Sequence, residues 1–300
     1  MEAINMISIP AIRGELRYNE AMAGHTSWRA GGQADRYCVP VDLDDLATLL
    51  RSLPEDENLL WMGLGSNTLI RDGGFRGTVI ATQGVMSQLE RRENDCVYVG
   101  AGVSSAKLAR YCASENLSGG EFFAGIPGLV GGALAMNAGA FGGETWRHVV
   151  SVETIDRKGE IHQRTPDDYR VAYRSVEGSE GEWFVSALLK FDIDEKASIN
   201  IKQLLAKRAD TQPTGTANCG SVFRNPENDY AARLIEQCGL KGKRIGGAVV
   251  SEKHANFIIN DQQATAADIE NLIELVQKTV KRQTDVDLQT EVKIIGEKRS

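Results

Sequence analysis

The sequence predicts an α+β protein built from more than one domain. Its 300 residues exceed one ordinary domain and suit two or three. Short apolar, β-branched runs alternate with segments whose apolar residues recur at helical spacing. A charged break, Asp192-Ile193-Asp194-Glu195-Lys196, divides the chain near residue 195. Hydrophobic residues make up 42% and charged residues 25%, enough apolar side chains to close a real core.

Ahead of the break, Leu43 to Leu53 reads as a helix, Leu59 to Gly63 as a buried strand and Thr78 to Ala81 as another. Cys96 to Val99 is strand-like. Ser104 or Ser105 caps a helix that runs to about Glu115, with Leu108, Tyr111 and Cys112 at helical spacing. A glycine-dense apolar loop follows over Gly119 to Gly143. Strands resume at Val149–Ile155, Glu160–Arg164 and Trp183–Phe191. After the break, Ile199 to Thr211 reads as a polar helix, Thr214 to Asn218 as a loop, and Tyr230 to Cys238 as a short helix ended by Gly239. His254 to Asn260 reads as a strand. The longest helix starts at Thr265, where Thr265 and Asp268 have capping-box spacing, and runs to about Gln283. Ile269, Leu272, Ile273, Val276 and Val280 give it one apolar face. In a last strand, Val286 to Ile294, the apolar Val286, Leu288, Val292 and Ile294 share one parity. Glu291 has the other parity and is free of that core face.

Composition excludes several classes. Against 34 Lys and Arg stand 41 Asp and Glu, a net charge of −7, whereas nucleic-acid binding calls for a basic surface. No apolar run approaches the ~18 residues of a membrane span. Met1 to Asn5 lacks the basic-then-apolar pattern of a secretory signal, so a cytoplasmic protein is expected. The cysteines, Cys38, Cys96, Cys112, Cys219 and Cys238, are scattered and odd in number, which supports neither a disulfide framework nor a zinc site. His25, His148, His162 and His254 show no metal-ligand spacing, so no metal is expected.

The chain carries 31 glycines, and they cluster beside apolar runs rather than among Ser and Pro. Gly63-Leu64-Gly65-Ser66-Asn67 follows a strand directly. Thr68 stands where a dinucleotide fingerprint needs its third glycine, so that motif fails. The segment reads either as a tight turn with an Asx cap or as a nest of backbone N–H groups for phosphate. Between Glu121 and Ala140 lie Gly125, Gly128, Gly131, Gly132 and Gly139, with no charge after Glu121. So many glycines would weaken a core strand, and a surface loop would be more polar. An uncharged loop wrapping a large flat ligand satisfies both facts; a tightly turned hydrophobic connector is the plainer reading.

Several blocks, taken in order, carry a resemblance. They are His25-Thr26-Ser27-Trp28-Arg29-Ala30-Gly31-Gly32, Gly63 to Asn67, Gly125-Ile126-Pro127-Gly128 with Gly131-Gly132-Ala133, and Met136-Asn137-Ala138-Gly139. Tyr173-Arg174-Ser175, Gly220 to Pro226, Gly239 to Gly242, His254 to Ile258 and Glu291-Val292 continue the series. Together they resemble the UDP-N-acetylenolpyruvoylglucosamine reductase family over roughly residues 20–296. The short stretch between Ser221 and Lys241 leaves no room for a sizeable insertion, so the likeness is to the shorter subclass. The loop from Thr216 to Cys219 departs from the family pattern.

The resemblance implies an FAD-binding fold of the vanillyl-alcohol-oxidase (PCMH) type in two subdomains, residues 1–82 and 83–195, followed by an α+β substrate-binding domain, residues 196–300. It implies FAD and NADPH as cofactors. The substrate would be UDP-N-acetylglucosamine enolpyruvate, reduced to UDP-N-acetylmuramate for peptidoglycan, with no protein partner required. FAD would contact Arg29, Gly63, Gly65, Ser66, Asn67, Gly125, Ile126, Pro127, Gly128, Gly131, Gly132, Asn137, Ala138 and Gly139. Arg174 would bind and polarise the substrate carboxylate, Ser221 would give a proton to the α carbon, and Glu291 would assist at the carboxylate in protonated or hydrogen-bonded form. Tyr173, Arg224, Asn225, Lys241 and Asn256 would hold the rest of the substrate. His254 reads as structural, and Cys219 has no adjacent base that would make it reactive. Two rivals stand beside this reading. An FAD oxidase of the same fold would lack Ser221 and Glu291 in these contexts, and a flavin or nucleotide-sugar binding protein would not turn over.

Overall fold

A computed structural model describes residues 12–194 and 197–299. The first sheet has four strands in the spatial order Glu15–Ala21, Gln33–Val39, Phe75–Ala81, Leu59–Met62. Its first pair is antiparallel and the other two pairs are parallel. Helix α1, Leu43–Ser52, is the crossover within this sheet, capped by Asp42, whose side chain accepts from Asp45 N. Leu46, Leu49 and Leu50 bury the helix face against Cys38 and Ile80 of the sheet.

The second sheet is wholly antiparallel, in the order Ile161–Arg164, Val149–Asp156, Glu182–Lys190, Cys96–Gly100, Leu89–Arg91. Helix α2, Ser105–Ser114, starts where Ser104 accepts a hydrogen bond from Lys107 N. Its Leu108, Ala109 and Cys112 share a core with Val97, Val99, Ala187 and Leu189. The segment from Gly119 to Gly143, expected to be loop throughout, contains a six-residue helix α3, Val130–Ala135. Val130, Ala133 and Leu134 fall at helical spacing and are buried, and Gly131 lets the helix approach Ala101, which a Cβ would meet at 3.0 Å.

Helix α4, Ala197–Thr211, leads into the last part of the chain. There α5, Ala231–Gln237, and α6, Ala266–Thr284, pack on a three-stranded sheet of Arg244–Ile245, Ala248–Val250 and Ile258–Asn260. The capping box at Thr265 and Asp268 is formed, and the apolar face of α6 is buried as its spacing requires. Two expected strands are shorter than read. His254 to Phe257 is a turn closed by Phe257 N donating to His254 O. The final strand is only Lys293–Ile295, which pairs in parallel with Thr68–Ile70. Ahead of it, only the bridge between Phe223 and Thr290 joins residues 286–292 to a neighbour as strand.

The last part of the chain is fastened to the first. Trp28 is fully buried in the α5–α6 core, donates from Nε1 to Ile258 O at 2.8 Å, and accepts from Asn260 Nδ2 at its carbonyl. Arg71 makes a two-pronged ion pair with the buried Glu270 of α6, and Asp72 accepts from Ala266 N and Ala267 N at the start of that helix. Among the described residues no helix is long and apolar enough to cross a membrane.

Candidate active site

The two glycine segments meet and together line one cleft of about 400 Å³. The strand Leu59–Met62 delivers the turn Gly63 to Asn67 to its edge. Gly65 has φ +58°, and a Cβ there would lie 2.2 Å from the His25 carbonyl oxygen, so only glycine fits. Ser66 Oγ donates to Pro127 O at 2.8 Å and ties this turn to the second glycine segment. Gly128, at φ +129°, passes so close that a Cβ would meet Ser66 Oγ at 2.9 Å. Gly63, Gly65, Ser66, Asn67, Gly125, Ile126, Pro127, Gly128, Gly132, Ala138 and Gly139 all line the cleft. Gly131 and Asn137 stand behind its wall, and Arg29 is exposed outside it.

The same cleft is lined by the three residues expected to do chemistry, Arg174, Ser221 and Glu291. Tyr173 and Arg174 are the turn of a thin hairpin, Arg170–Ala172 with Ser175–Glu177. Arg174 has φ +55°, a strained value for a side-chain-bearing residue. Its guanidinium donates from Nη2 to Gly139 O at 2.7 Å and from Nη1 to Asn137 O at 3.3 Å, and lies 4.9 Å from the Tyr173 ring centroid. Arg174 Nε approaches Glu291 Oε1 to 3.4 Å, an ion contact that is not aligned as a hydrogen bond. Burial pushes the Glu291 carboxyl above its ordinary range, against the pull of Arg174 and Arg224. Ser221 is half-buried on the same cleft wall, preceded by Gly220 at φ +71°.

Each of the three is fixed by an asparagine. Asn67 Nδ2 donates to Glu291 O at 3.1 Å, and Lys293 N donates to Asn67 O at 3.0 Å. Asn256 is buried, and its amide is spent on Phe223, accepting from Phe223 N at 2.9 Å and donating to Phe223 O at 2.8 Å. Val222 N also donates to Asn256 O. Asn256 lines the cleft and braces the segment that follows Ser221. The third, Asn137, is joined to the Arg174 hairpin by Nδ2 donating to Ala172 O at 3.1 Å.

Other expected residues are dispersed. Asn225 lines the cleft but uses Oδ1 to accept from Ala231 N at the start of α5. Lys241 is outside the cleft lining and pairs with Glu236 at 2.7 Å. Arg224 stands behind the lining with Nε buried and unpartnered. His25 stacks on Tyr37 at 4.2 Å and contacts Glu20, also away from the cleft. Cys219 is buried under the first glycine turn and its thiol is pushed up to about 12, so it is inert packing. Arg208, which the sequence places in a polar helix, reaches the cleft from α4, and Gln212, just past the end of that helix, lines it too. Arg208 Nε donates to Gln212 Oε1 at 3.1 Å, and no carboxylate pairs with it among the described residues.

The residues fit FAD. An uncharged cradle of close-approaching backbone suits a flat ring and a diphosphate. Gly132 adds a position where a Cβ would touch nothing within 4 Å, leaving backbone open to a ligand. The fold and this cleft define an FAD-binding protein of the vanillyl-alcohol-oxidase type, a flavin oxidoreductase with an added C-terminal domain. Residues 34–164 match the FAD binding domain, and residues 212–295 match the C-terminal domain of UDP-N-acetylenolpyruvoylglucosamine reductase. A UDP-N-acetylenolpyruvoylglucosamine reductase from Legionella pneumophila strain Corby is 60% identical over 95% of this chain and 94% of its own. One from Alkalilimnicola ehrlichii is 57% identical over 96% and 97%. The crystal structure of the reductase from Thermus caldophilus superposes with a TM-score of 0.80 at 29% identity, covering 95% of this chain and 99% of its own. The chain belongs to the UDP-N-acetylenolpyruvoylglucosamine reductase family.

Proposed function

We propose that this chain reduces the enolpyruvyl ether of UDP-N-acetylglucosamine enolpyruvate to the lactyl ether of UDP-N-acetylmuramate, a precursor of peptidoglycan, with NADPH as electron source. The observation that carries the reading is the Arg174–Glu291 contact in the cleft that Ser221 and the glycine cradle also line. FAD, held by the turns at 63–67 and 125–139, would supply hydride to the terminal carbon of the double bond.

The residues answer what the substrate does next. Hydride addition places negative charge on the α carbon, and conjugation spreads it into the carboxylate. Arg174 presents a permanently charged fork to that carboxylate, already aimed by Gly139 O and Asn137 O. Ser221 Oγ donates the proton that completes the α carbon and recovers its own from solvent. A charged Glu291 would repel the developing enediolate; the upward push on its carboxyl favours the neutral acid, which donates a hydrogen bond instead. Arg208 supplies a half-buried cation suited to the diphosphate, and Tyr173 a ring at the cleft mouth. The division at 82/83 and 195/196 belongs to this proposal: the glycine turns arise from the first two parts, whereas Ser221 and Glu291 arise from the third.

The test is a pair of half-reactions on purified holoenzyme. A yellow protein that NADPH bleaches under anaerobic conditions, and that the enolpyruvyl UDP-sugar alone restores to yellow, is the expected result. Restoration by oxygen but not by the sugar would reject the assignment.

A further inference from the structure

The hairpin that bears Arg174 has little to hold it. Arg170, Val171 and Ala172 are exposed, and the paired strand is at most half-buried. An isolated two-stranded ribbon is marginally stable in water. Its turn residue also sits at a left-handed φ, a strained conformation for a residue with a Cβ. Yet the guanidinium is the group whose placement the reaction needs most. Something outside the hairpin must fix it.

Asn137 does so from behind the cleft wall. It is 2% exposed and sits at φ +45°, a region asparagine tolerates better than most residues. Its Nδ2 donates to Ala172 O at 3.1 Å, at the mouth of the turn, and approaches Glu144 Oε2 at 3.4 Å. Its Oδ1 accepts from Trp146 N at 3.1 Å. Its backbone carbonyl accepts from Arg174 Nη1. One residue thus grips both the backbone entering the turn and the head group leaving it, anchored to the buried Trp146. Gly139 completes the seat, because a Cβ there would lie 3.0 Å from Arg174 Nη1.

We propose that Asn137 is the positioning residue for Arg174, setting where the guanidinium meets the substrate carboxylate, and that its side chain serves this turn rather than the cofactor. The proposal rests on the reading of Arg174 as the carboxylate's partner. Asn137→Gly keeps a residue at ease with the left-handed backbone and removes only the amide. In the holoenzyme it should slow reoxidation of NADPH-reduced enzyme by the enolpyruvyl UDP-sugar about 10²-fold, the scale of a misplaced reacting group. Flavin content and the rate of reduction by NADPH should stay at the wild-type level. Calorimetric titration of the oxidised holoenzyme with the same sugar should show weaker binding. In an Arg174→Ala background, Asn137→Gly should add nothing to either loss, because two residues acting as one unit are not additive. Equal loss in both backgrounds, equal slowing of both half-reactions, or loss of flavin would overturn the proposal. Asn137→Asp, which keeps the acceptor for Trp146 N and loses the donor to Ala172 O, repeats the test if the glycine variant does not fold. An Arg174→Ala enzyme with unchanged sugar-dependent reoxidation would refute the reading of Arg174 itself.

Discussion

The two walls of the cleft are built on opposite principles. The glycine wall, at 63–67 and 125–139, is largely backbone, with contacts at Gly65, Gly125 and Gly139 too close for a side chain. The other part of the lining is side chains: an arginine on a thin hairpin, a serine beside a single β-bridge, and a glutamate two residues before a short strand. The first needs no outside support. The second borrows rigidity from asparagines, two of them, Asn67 and Asn137, on the glycine segments themselves and the third, Asn256, from the last part of the chain. A surface that only has to fit a ligand can be made of backbone. One that must aim charge and a proton needs side chains, and those need a second layer to hold them.

The largest effect should come from the side-chain wall. Ser221→Ala is expected to lower the sugar-dependent half-reaction about 10³-fold, within the range of a lost general acid, while reduction by NADPH is unchanged. Stopped-flow absorbance separates the two rates, and equal loss in both would show that Ser221 supports the cradle instead. Glu291→Gln sharpens the same contrast through pH. The folded pKa of Glu291 is raised by burial, and the neutral acid is the working form. The wild-type sugar half-reaction should therefore fall as pH rises through that value, and the glutamine variant should lose this alkaline limb. A limb that survives the substitution would assign it to another group.

The glycine wall should fail differently. Gly65→Ala puts a Cβ against the His25 carbonyl at a left-handed φ and should weaken FAD binding about tenfold or more, each tenfold being about 1.4 kcal/mol. Once reconstituted with excess FAD, the variant should run both half-reactions at similar rates to the wild type. Unchanged FAD affinity, measured by fluorescence quenching, would remove this turn from the cofactor site.

A last effect, on stability and not on either half-reaction, concerns the fastening of the last part of the chain to the first. Glu270→Gln breaks the ion pair with Arg71 and should cost about 2 kcal/mol at pH 7, less than a fully buried pair because Arg71 keeps some solvent contact. Hydrogen bonds from Arg71 hold the Glu270 carboxyl below its usual range despite burial. A carboxyl with a depressed folded pKa stabilises the protein above its unfolded value, about 4.3, and that stabilisation is lost as pH falls through the folded value. Urea midpoints of wild type and variant should keep their gap from pH 7 down to about 5 and converge as pH falls below about 4.3; a gap that stays constant below that would mean that the pair is not the cause.

Much of this was legible in the chain. Glycines at close approach are a local signal, so both turns of the cradle stand out, and the capping box and apolar face of α6 predict that helix closely. Helix α3 was hidden because Gly131 and Gly132 disguise a helical run of Val130, Ala133 and Leu134. The final strand was read too long because its alternation is met by core packing of Leu288 and Val292 outside any ladder. The asparagine clamps were not legible, since an asparagine's partners lie dozens to hundreds of residues away, as in Asn67 with Glu291. Arg208 was missed for the same reason: a cation in a polar helix looks solvated until the fold turns it toward a cleft.

A crystal structure of the holoenzyme with the enolpyruvyl UDP-sugar tests the arrangement of the two walls most directly. The α carbon should lie within about 3.5 Å of Ser221 Oγ, near hydrogen-bond reach, with the carboxylate on Arg174 and Glu291 and the flavin ring on the opposite face against the glycine turns. A sugar whose carboxylate points away from Arg174, or a flavin bound outside the turns at 63–67 and 125–139, would contradict it.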